Sequence, residues 1–144
     1  MKKIGIASDH AGFEYKEKIK LILEKKGYQV FDFGCFSEES VDYPDFAHEL
    51  ARAIINGKCE YGIQFCGSGN GINMSSNKHK EIRSALCWKE EIAEQARLHN
   101  NANICTMPAR YISFEEVEKI MKIFLNTEFE GGRHQRRIDK ISKI

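Results

Sequence analysis

Residues 61–72 read YGIQFCGSGNGI, a short apolar run that leads directly into a loop with glycine at every second position. The run has the length and the aromatic and β-branched content of a buried strand. Glycine has no side chain to obstruct the backbone, so the loop is suited to the close approach of a bound group. The stretch predicts a strand that ends at Cys66, a tight loop and the start of a helix.

The same alternation of strand and helix patterns extends outward in both directions. Strand-like runs occupy residues 3–8, 28–33, 83–88 and 103–107, and longer amphipathic stretches lie between them. Strands that alternate with helices predict a parallel sheet with helices on both faces and right-handed crossovers. The predicted fold class is therefore α/β, a Rossmann-like three-layer α/β/α sandwich with a five-stranded parallel sheet.

Several helix boundaries are also marked in the sequence. Gly27 is expected to end the first helix, and Pro44 suits the first position of the second. Ser113 and Glu116 have the spacing of a capping box, which predicts the start of a later helix. A last helix is expected to open with GGRHQRR, residues 131–137, and to carry Arg133 and Arg137 on one face because they are four residues apart.

The composition is typical of one globular domain, which we expect to span residues 1–144. Lys and Arg number 22 against 21 Asp and Glu, a net charge of +1, so the chain lacks the basic field typical of nucleic-acid binders. No segment approaches the ~18 uninterrupted apolar residues of a membrane span, and we expect a soluble, cytoplasmic protein with no membrane partner. The five cysteines form no C-x-x-C pair, so we expect reduced thiols and no metal site.

The glycine loop has its own predicted chemistry. Backbone N–H groups at a helix N-terminus converge where the helix dipole is positive, which suits an oxyanion or a phosphate. A Walker A loop would continue with Lys and Ser or Thr, whereas Gly71 is followed by Ile72 and Asn73. The G-x-G-x-G spacing after a third strand also differs from the G-x-G-x-x-G that marks a dinucleotide site near a first strand. We therefore expect neither nucleotide hydrolysis nor a nicotinamide cofactor.

Ligands in such folds bind beyond the carboxyl ends of the strands, so the residues that follow strands are the candidate site residues. The chain carries a distinctive set of motifs there and near its C-terminus: Ser8-Asp9-His10, Asp42-Tyr43-Pro44, the run from Cys66 to Ile72, Asn77-Lys78, His99-Asn100-Asn101-Ala102-Asn103 and Gly131-Gly132-Arg133-His134-Gln135 with Arg137. In this order, from Ile4 to about Ile141, the set resembles ribose-5-phosphate isomerase B.

The resemblance implies an enzyme of the pentose phosphate pathway that interconverts ribose 5-phosphate and ribulose 5-phosphate without metal or other cofactor. It implies a homodimer, or a dimer of dimers, in which both subunits contribute to each active site and the C-terminal helix reaches the partner. It also implies the strand order 2-1-3-5-4. Strands one and three would then be neighbours and would bring Asp9 and Cys66 to one crevice.

The resemblance assigns the roles within that crevice. Catalysis falls to Cys66 and His99, and substrate contacts to Asp9, His10, Tyr43, Gly67, Ser68, Gly69, Asn70, Gly71, Asn100, Arg110, Arg133, His134 and Arg137. Asp9 would hold sugar hydroxyls and His10 would lie near the phosphate, although Asp9 is also a natural helix cap. Tyr43 lines the pocket in the family, while Asp42-Tyr43-Pro44 also reads as an ordinary helix start. Arginine forks suit phosphate oxygens, which fits Arg110, Arg133 and Arg137, although Met107-Pro108-Ala109 departs from the glycine-rich sequence more usual before that first arginine.

Cys66 is the expected base. Free cysteine has a pKa of about 8.5, and a helix N-terminus lowers it toward the range in which a thiolate acts near neutral pH. By resemblance Cys66 takes the C2 proton of the open-chain aldose and returns it to C1 through a cis-enediolate, which Ser68 and the loop amides stabilise. One branch of the family uses a glutamate directly after the loop, where this chain has Ile72. The other four cysteines are expected to be small buried hydrophobes.

By resemblance His99 opens the closed furanose in which the substrate mainly circulates, and Asn100 holds sugar oxygens. The position of His99, seven residues beyond Ile92, predicts that its imidazole points toward the sheet. The alternative is a packed histidine near a helix end, with Asn100 as the cap.

Other functions remain open at this stage. A related isomerase of six-carbon phosphates, such as galactose 6-phosphate or allose 6-phosphate, is the nearest, although galactose-6-phosphate isomerase divides its functional residues between two different subunits. A non-catalytic sugar-phosphate sensor is less consistent with the intact pair of Cys66 and His99.

Overall fold

The computed structural model of the chain describes residues 2–144 and contains one sheet of five parallel strands. The strands are β1 Lys3–Ser8, β2 Gln29–Asp32, β3 Tyr61–Cys66, β4 Ser84–Leu86 and β5 Ile104–Pro108. They lie in the order β2-β1-β3-β5-β4, all parallel. The expected strand order and the adjacency of β1 and β3 are both confirmed.

Within residues 2–144, six α-helices connect and cover the strands. They are α1 Phe13–Lys25, α2 Tyr43–Ile55, α3 Asn70–Ser76, α4 Glu90–Leu98, α5 Phe114–Asn126 and α6 Arg133–Ile141, with a short 3-10 turn at His10–Gly12 before α1. The apolar stripes of α1, α4 and α5 pack on one face of the sheet, and α2 and α3 pack on the other. The predicted three-layer sandwich is confirmed. No helix among residues 2–144 is long and apolar enough to cross a membrane.

The helix boundaries follow the sequence signals with one correction. Gly27 has a φ of 93° and follows the last turn of α1. Ser113 and Glu116 form the predicted capping box. Pro44 occupies the second position of α2 rather than the first, because the helix begins at Tyr43 with Asp42 as its N-cap.

The C-terminal helix α6 is loosely attached to its own chain. Among its residues only His134 is buried. Before α6, the N–H of Glu130 donates a hydrogen bond to the carbonyl oxygen of Leu98 at 3.1 Å. After α6, Ser142 Oγ donates a hydrogen bond to the carbonyl oxygen of Lys80, also at 3.1 Å. Helix α6 therefore projects a largely exposed basic surface. That this helix reaches a partner subunit stays a prediction.

Candidate active site

The glycine loop joins β3 to α3 and carries Cys66 at its start. Cys66 is buried and packs against Ala47 of α2 and Ile72 of α3. Gly69 has a φ of 80°, the left-handed conformation that glycine adopts without strain, and the chain enters α3 at the next residue. The ring of Tyr43 packs so closely on Gly71 that a side chain there would collide with it. Tyr43 is thus both the first residue of α2 and a close neighbour of the glycine loop.

The electrostatic environment of Cys66 contains two opposing influences. Burial raises the pKa of the thiol, and the nearby backbone N–H groups of Ile72, Gly69 and Gly71 lower it. The carboxylate of Asp9 raises it further. The loop amides favour the thiolate as predicted, but the expectation of a lowered pKa is wrong for this chain alone. The reason is desolvation, the largest of these influences.

Asp9 follows β1 and lies next to the end of β3. Its N–H donates to the carbonyl oxygen of Phe65 at 3.2 Å. Its Oδ1 accepts hydrogen bonds from the N–H groups of Ala11, at 3.0 Å, and Gly12, at 3.3 Å. Asp9 is therefore a cap, as the alternative interpretation held, and its charge also acts on Cys66. Asp9 and Cys66 thus lie at the ends of neighbouring strands, as predicted, and a crevice between them stays a prediction.

The ring of His10 has a defined orientation. Its Nδ1 accepts a hydrogen bond from the N–H of Val41 at 3.2 Å. Nδ1 cannot carry a proton in this arrangement, so the proton of the neutral ring lies on Nε2. His10 therefore offers one N–H donor on the side away from Val41.

Arg110 lies against the glycine loop. The N–H of Arg110 donates to the carbonyl oxygen of Gly67, and that of Ala109 to the carbonyl oxygen of Cys66, both at 3.0 Å. A Cβ added at Gly67 would lie 3.1 Å from Nη1 of Arg110, so the guanidinium covers the first glycine of the loop. The unusual sequence before Arg110 thus leaves this arginine beside the predicted site.

His99 and Asn100 lie at the opposite edge of the sheet from Cys66. Helix α4 returns from the end of β4 to the start of the parallel strand β5, so its last residue lies at the edge where the strands begin. The six residues of β3 span ~20 Å, which approximates the distance between the two edges. Helix α6 is attached at the same edge as His99, through Leu98 and Lys80.

The predicted site residues therefore form two groups. The crevice group lies around the carboxyl end of β3, and the arm group lies where α4 ends and α6 begins. The crevice group comprises Asp9, His10, Tyr43, Cys66, Gly67, Ser68, Gly69, Asn70, Gly71 and Arg110; the arm group comprises His99, Asn100, Arg133, His134 and Arg137. No hydrogen bond or ion pair within residues 2–144 joins the two groups.

The prediction that the imidazole of His99 points toward the sheet is wrong. Helix α4 ends at Leu98, with His99 as its C-cap, and its inward-facing residues are Ala93, Ala96 and Arg97. The helical spacing from Ile92 thus fails where the helix stops. Asn100 is exposed, and the left-handed turn after the helix falls on Asn101, with a φ of 47°.

The ring of His99 stacks instead on the ring of His134. Their centroids are 4.3 Å apart and the planes differ by 16°. His134 is buried, and its Nε2 has no hydrogen-bond partner among the described residues. Burial lowers the pKa of His134, as do His99, Arg133 and Arg137, while Glu130 opposes them. Arg133 and Arg137 themselves are exposed.

Arg97 supports the arm group and was not predicted. This buried guanidinium donates to the carbonyl oxygens of Thr127, at 3.0 Å, and Ala102, at 2.7 Å. It also donates to Oδ1 of Asn101, at 2.9 Å, and to the hydroxyl oxygen of Tyr61, at 3.1 Å. Arg97 ties the turn after His99 to the segment that leads into α6. The sequence signal was a charged residue on the same helical face as Ala93.

Gln64 has a comparable role beneath the glycine loop. It lies at the centre of β3, fully buried, and its Nε2 donates to Ser76 Oγ and to Thr106 Oγ1, both at 2.9 Å. These bonds attach the end of α3 to the sheet. A single polar residue within an apolar strand was the available signal.

Comparison with known proteins agrees with the motifs. The profile of the Ribose/Galactose Isomerase family matches residues 4–141. Ribose-5-phosphate isomerase B of Escherichia coli K12 is 38% identical over 144 residues, covering 100% of this chain and 97% of the relative. A ribose 5-phosphate isomerase structure from Thermotoga maritima superposes with a TM-score of 0.98 at 49% identity, covering 99% of each chain.

A structure of ribose-5-phosphate isomerase B from Mycoplasma genitalium, which has ribulose-5-phosphate bound, is also similar. Its TM-score is 0.92 at 43% identity, covering 96% of this chain and 93% of that one. The resemblance carried by the motifs is thereby confirmed over nearly the whole chain. The chain belongs to the ribose/galactose isomerase family.

Proposed function

We propose that this chain is an aldose–ketose isomerase that interconverts ribose 5-phosphate and ribulose 5-phosphate, with Cys66 as the group that moves the proton. The observation that carries the proposal is the setting of Cys66 at the start of the glycine loop, where it packs against Ala47 and Ile72 and Asp9 lies at the end of the neighbouring strand. The relatives named ribose-5-phosphate isomerase B support the choice of substrate, as does the bound ribulose-5-phosphate in the Mycoplasma genitalium structure.

The reaction needs only proton transfers. Cys66 as a thiolate removes the proton from C2 of the open-chain aldose, and the C–H electrons form a C1–C2 double bond while negative charge develops on the carbonyl oxygen. The loop amides and Ser68 would stabilise this cis-enediolate, since fixed N–H donors act where charge develops. Cys66 then returns its proton to C1, a carbonyl forms at C2, and the O2 proton ends on O1. Atoms and electrons balance without a cofactor.

The raised pKa of Cys66 shapes this mechanism. Thiolate is the form that acts as a base, and in the chain alone burial disfavours it. A positive charge brought near the sulfur favours thiolate, and Arg133 and Arg137 of the arm group are exposed cations that a second subunit would supply. The complete site is therefore expected to hold a more acidic thiol than the single chain does.

We propose that the active site is completed in a homodimer. The crevice group and the arm group lie at opposite edges of one sheet, so one chain's crevice would be filled by the arm group of the other. The exposed surface of α6 supports this pairing, since it presents Arg133 and Arg137 to solvent. A two-fold dimer would form two identical sites in this way.

Each group then has a defined part in the reaction. Arg110 beside the loop and the arginines of the partner's arm would hold the phosphate, and the Nε2–H group of His10 would donate a hydrogen bond to it. His99 would open the furanose by exchanging protons with the ring oxygen and O1. Asn100 and Asp9 would hold sugar hydroxyls. Tyr43 would close one wall, because its ring already packs on Gly71.

We propose that the enzyme acts in the pentose phosphate pathway, in the cytoplasm. The direct test is to incubate the pure protein with ribose 5-phosphate, galactose 6-phosphate and allose 6-phosphate and to measure ketose formation. Ribose 5-phosphate is expected to be converted with the highest kcat/KM. Faster turnover of a six-carbon phosphate would assign the enzyme to that substrate, and turnover of none would favour a sugar-phosphate sensor.

A further inference from the structure

Three metal-binding side chains meet in the arm group. His99, Glu130 and His134 each offer one donor atom, and these atoms all lie within 4.8 Å of one another. Glu130 reaches both rings, with 3.8 Å from Oε2 to Nε2 of His99 and 3.8 Å from Oε1 to Nε2 of His134. Each of the two stacked rings thus directs its Nε2 atom toward the carboxylate of Glu130.

The Nε2 atom of His134 points to a missing ligand. His134 is only 6% exposed, and its Nε2 has no hydrogen-bond partner among the described residues. Buried polar atoms in proteins are almost always paired, so an orphan of this kind needs a partner from outside the chain. The orphan faces the cluster of His99 and Glu130.

The donor set identifies the chemistry of that partner. Two histidines and one glutamate, with a fourth position open to solvent, are a ligand set found in zinc enzymes, and imidazole suits Zn²⁺ and similar transition-metal ions. Magnesium and calcium prefer oxygen ligands and fit the set poorly. Bonds to zinc of about 2.0–2.2 Å require the donors to approach one another more closely than they do here. His99 and Glu130 have side chains 40% and 53% exposed, so both have room to rotate toward the fixed His134.

We propose that His99, Glu130 and His134 bind one Zn²⁺ ion per chain, and that the bound ion inhibits the enzyme by occupying Nε2 of His99. The binding stands on the geometry of the cluster alone. The inhibition rests on the proposed role of His99 in ring opening, because a metal-bound nitrogen has no lone pair left to accept a proton from the sugar. The ion is a reversible inhibitor, and turnover does not require it.

Two other features of residues 2–144 could compete for zinc and must be controlled. Cys66 is a thiol, and thiolates are strong zinc ligands. His48 and His79 form a second histidine pair, with 2.8 Å between Nδ1 of His48 and Nε2 of His79. A test must therefore remove Cys66 and must include a variant of the second pair.

The test is a calorimetric titration of the Cys66→Ala protein with Zn²⁺ in a buffer that does not chelate metal. One ion per chain is expected. Further substitution of Glu130→Gln should weaken binding by more than ~10-fold, and His134→Asn should weaken it still more, because each removes a ligand. His79→Asn in the same background should leave the affinity unchanged. Circular dichroism melting shows that each variant is folded, and the exposed Glu130 keeps the test valid if His134→Asn does not fold.

Two outcomes would overturn the site: failure of the Cys66→Ala protein to bind zinc, or binding that survives both Glu130→Gln and His134→Asn. These titrations involve no turnover, so they remain decisive even if the proposed isomerase activity is wrong.

The inhibitory effect is measured separately on the chain with Cys66 intact. Zinc should lower its turnover of ribose 5-phosphate, EDTA should restore it, and Glu130→Gln should raise the inhibitory concentration by the same factor as it weakens binding. Inhibition unchanged by Glu130→Gln would overturn the inhibitory role.

Discussion

The N–H of Asp9 donates a hydrogen bond of 3.2 Å to the carbonyl oxygen of Phe65, which holds the carboxylate of Asp9 beside the thiol of the next residue, Cys66. The pairing of β1 with β3 continues up to Ser8 and Phe65, so this contact extends the sheet by one residue. An acid and a thiol at one strand edge interact electrostatically. That interaction is open to direct measurement.

Asp9→Asn should lower the pKa of Cys66. The Asp9 carboxylate raises this pKa because a neighbouring negative charge disfavours the thiolate, so a neutral amide should shift the titration to lower pH. Asparagine preserves the cap that Asp9 forms. The pH dependence of iodoacetamide modification of Cys66 gives the midpoint. Glu24→Gln, at an exposed position near the end of α1, is the control and should leave it unchanged. A midpoint that stays or rises in Asp9→Asn would contradict this electrostatic coupling.

Hybrid dimers should recover activity from two inactive chains. Cys66→Ala disables the crevice group and Arg137→Ala the arm group, so a mixed dimer would contain one intact site and one doubly altered site. After equal mixing and random exchange, half of the dimers are mixed and each has one of two sites intact. Recovery on the order of a quarter of wild-type activity is therefore expected. If exchange is verified and no activity returns, either each chain builds its own site or Arg137 is dispensable.

His99→Asn should slow the two directions of the reaction unequally. Ribose 5-phosphate must open its ring before Cys66 can act, whereas ribulose 5-phosphate cannot close a furanose through its phosphorylated 5-oxygen. The variant should therefore lose most of its initial rate from the aldose and much less from hydrogen exchange of the ketose in deuterated water. Equal losses in both assays would remove His99 from ring opening.

Arg97→Met should destabilise the fold by about 3 kcal/mol, because buried carbonyl oxygens lose a charged donor and remain unpaired. The affected acceptors include the carbonyl oxygens of Ala102 and Thr127. Arg136→Met, on exposed α6, is the matched control and should change stability by less than about 0.5 kcal/mol. Urea unfolding followed by circular dichroism measures both. A small effect at Arg97 would show that its network contributes little.

The fold could be predicted because its signals are local. Buried parallel strands are short apolar runs, and Ser113 with Glu116 marks a helix start by spacing alone. Residues of the crevice group follow strands. Because ligands of parallel sheets bind beyond the carboxyl ends of the strands, the sequence predicts that these residues lie together. His99 follows a helix instead, and its place at the other edge depends on where α4 ends.

The pKa of Cys66 could not be predicted for a related reason. Position at a loop and helix start reveals the amides of Gly69, Gly71 and Ile72, which favour the thiolate. Desolvation depends on the packing of Ala47 from a different helix, which no local pattern specifies. Arg97 was not predicted for the same reason, because its partners lie both before it in the sequence, at Tyr61, and after it, at Ala102 and Thr127.

The turnover of Cys66→Ala with ribose 5-phosphate tests the central claim most directly. Loss of the proton-transferring group should reduce kcat at least ~10²-fold, the lower end for a positioned general base. Substrate affinity should change little, because the phosphate contacts remain. Cys66→Ser should be nearly as poor, since a hydroxyl is far less acidic than a thiol, and iodoacetamide should inactivate the unaltered enzyme unless ribose 5-phosphate protects it. A kcat reduced by ~10²-fold or more with nearly unchanged affinity is the predicted result; a Cys66→Ala enzyme with near-normal kcat would contradict it.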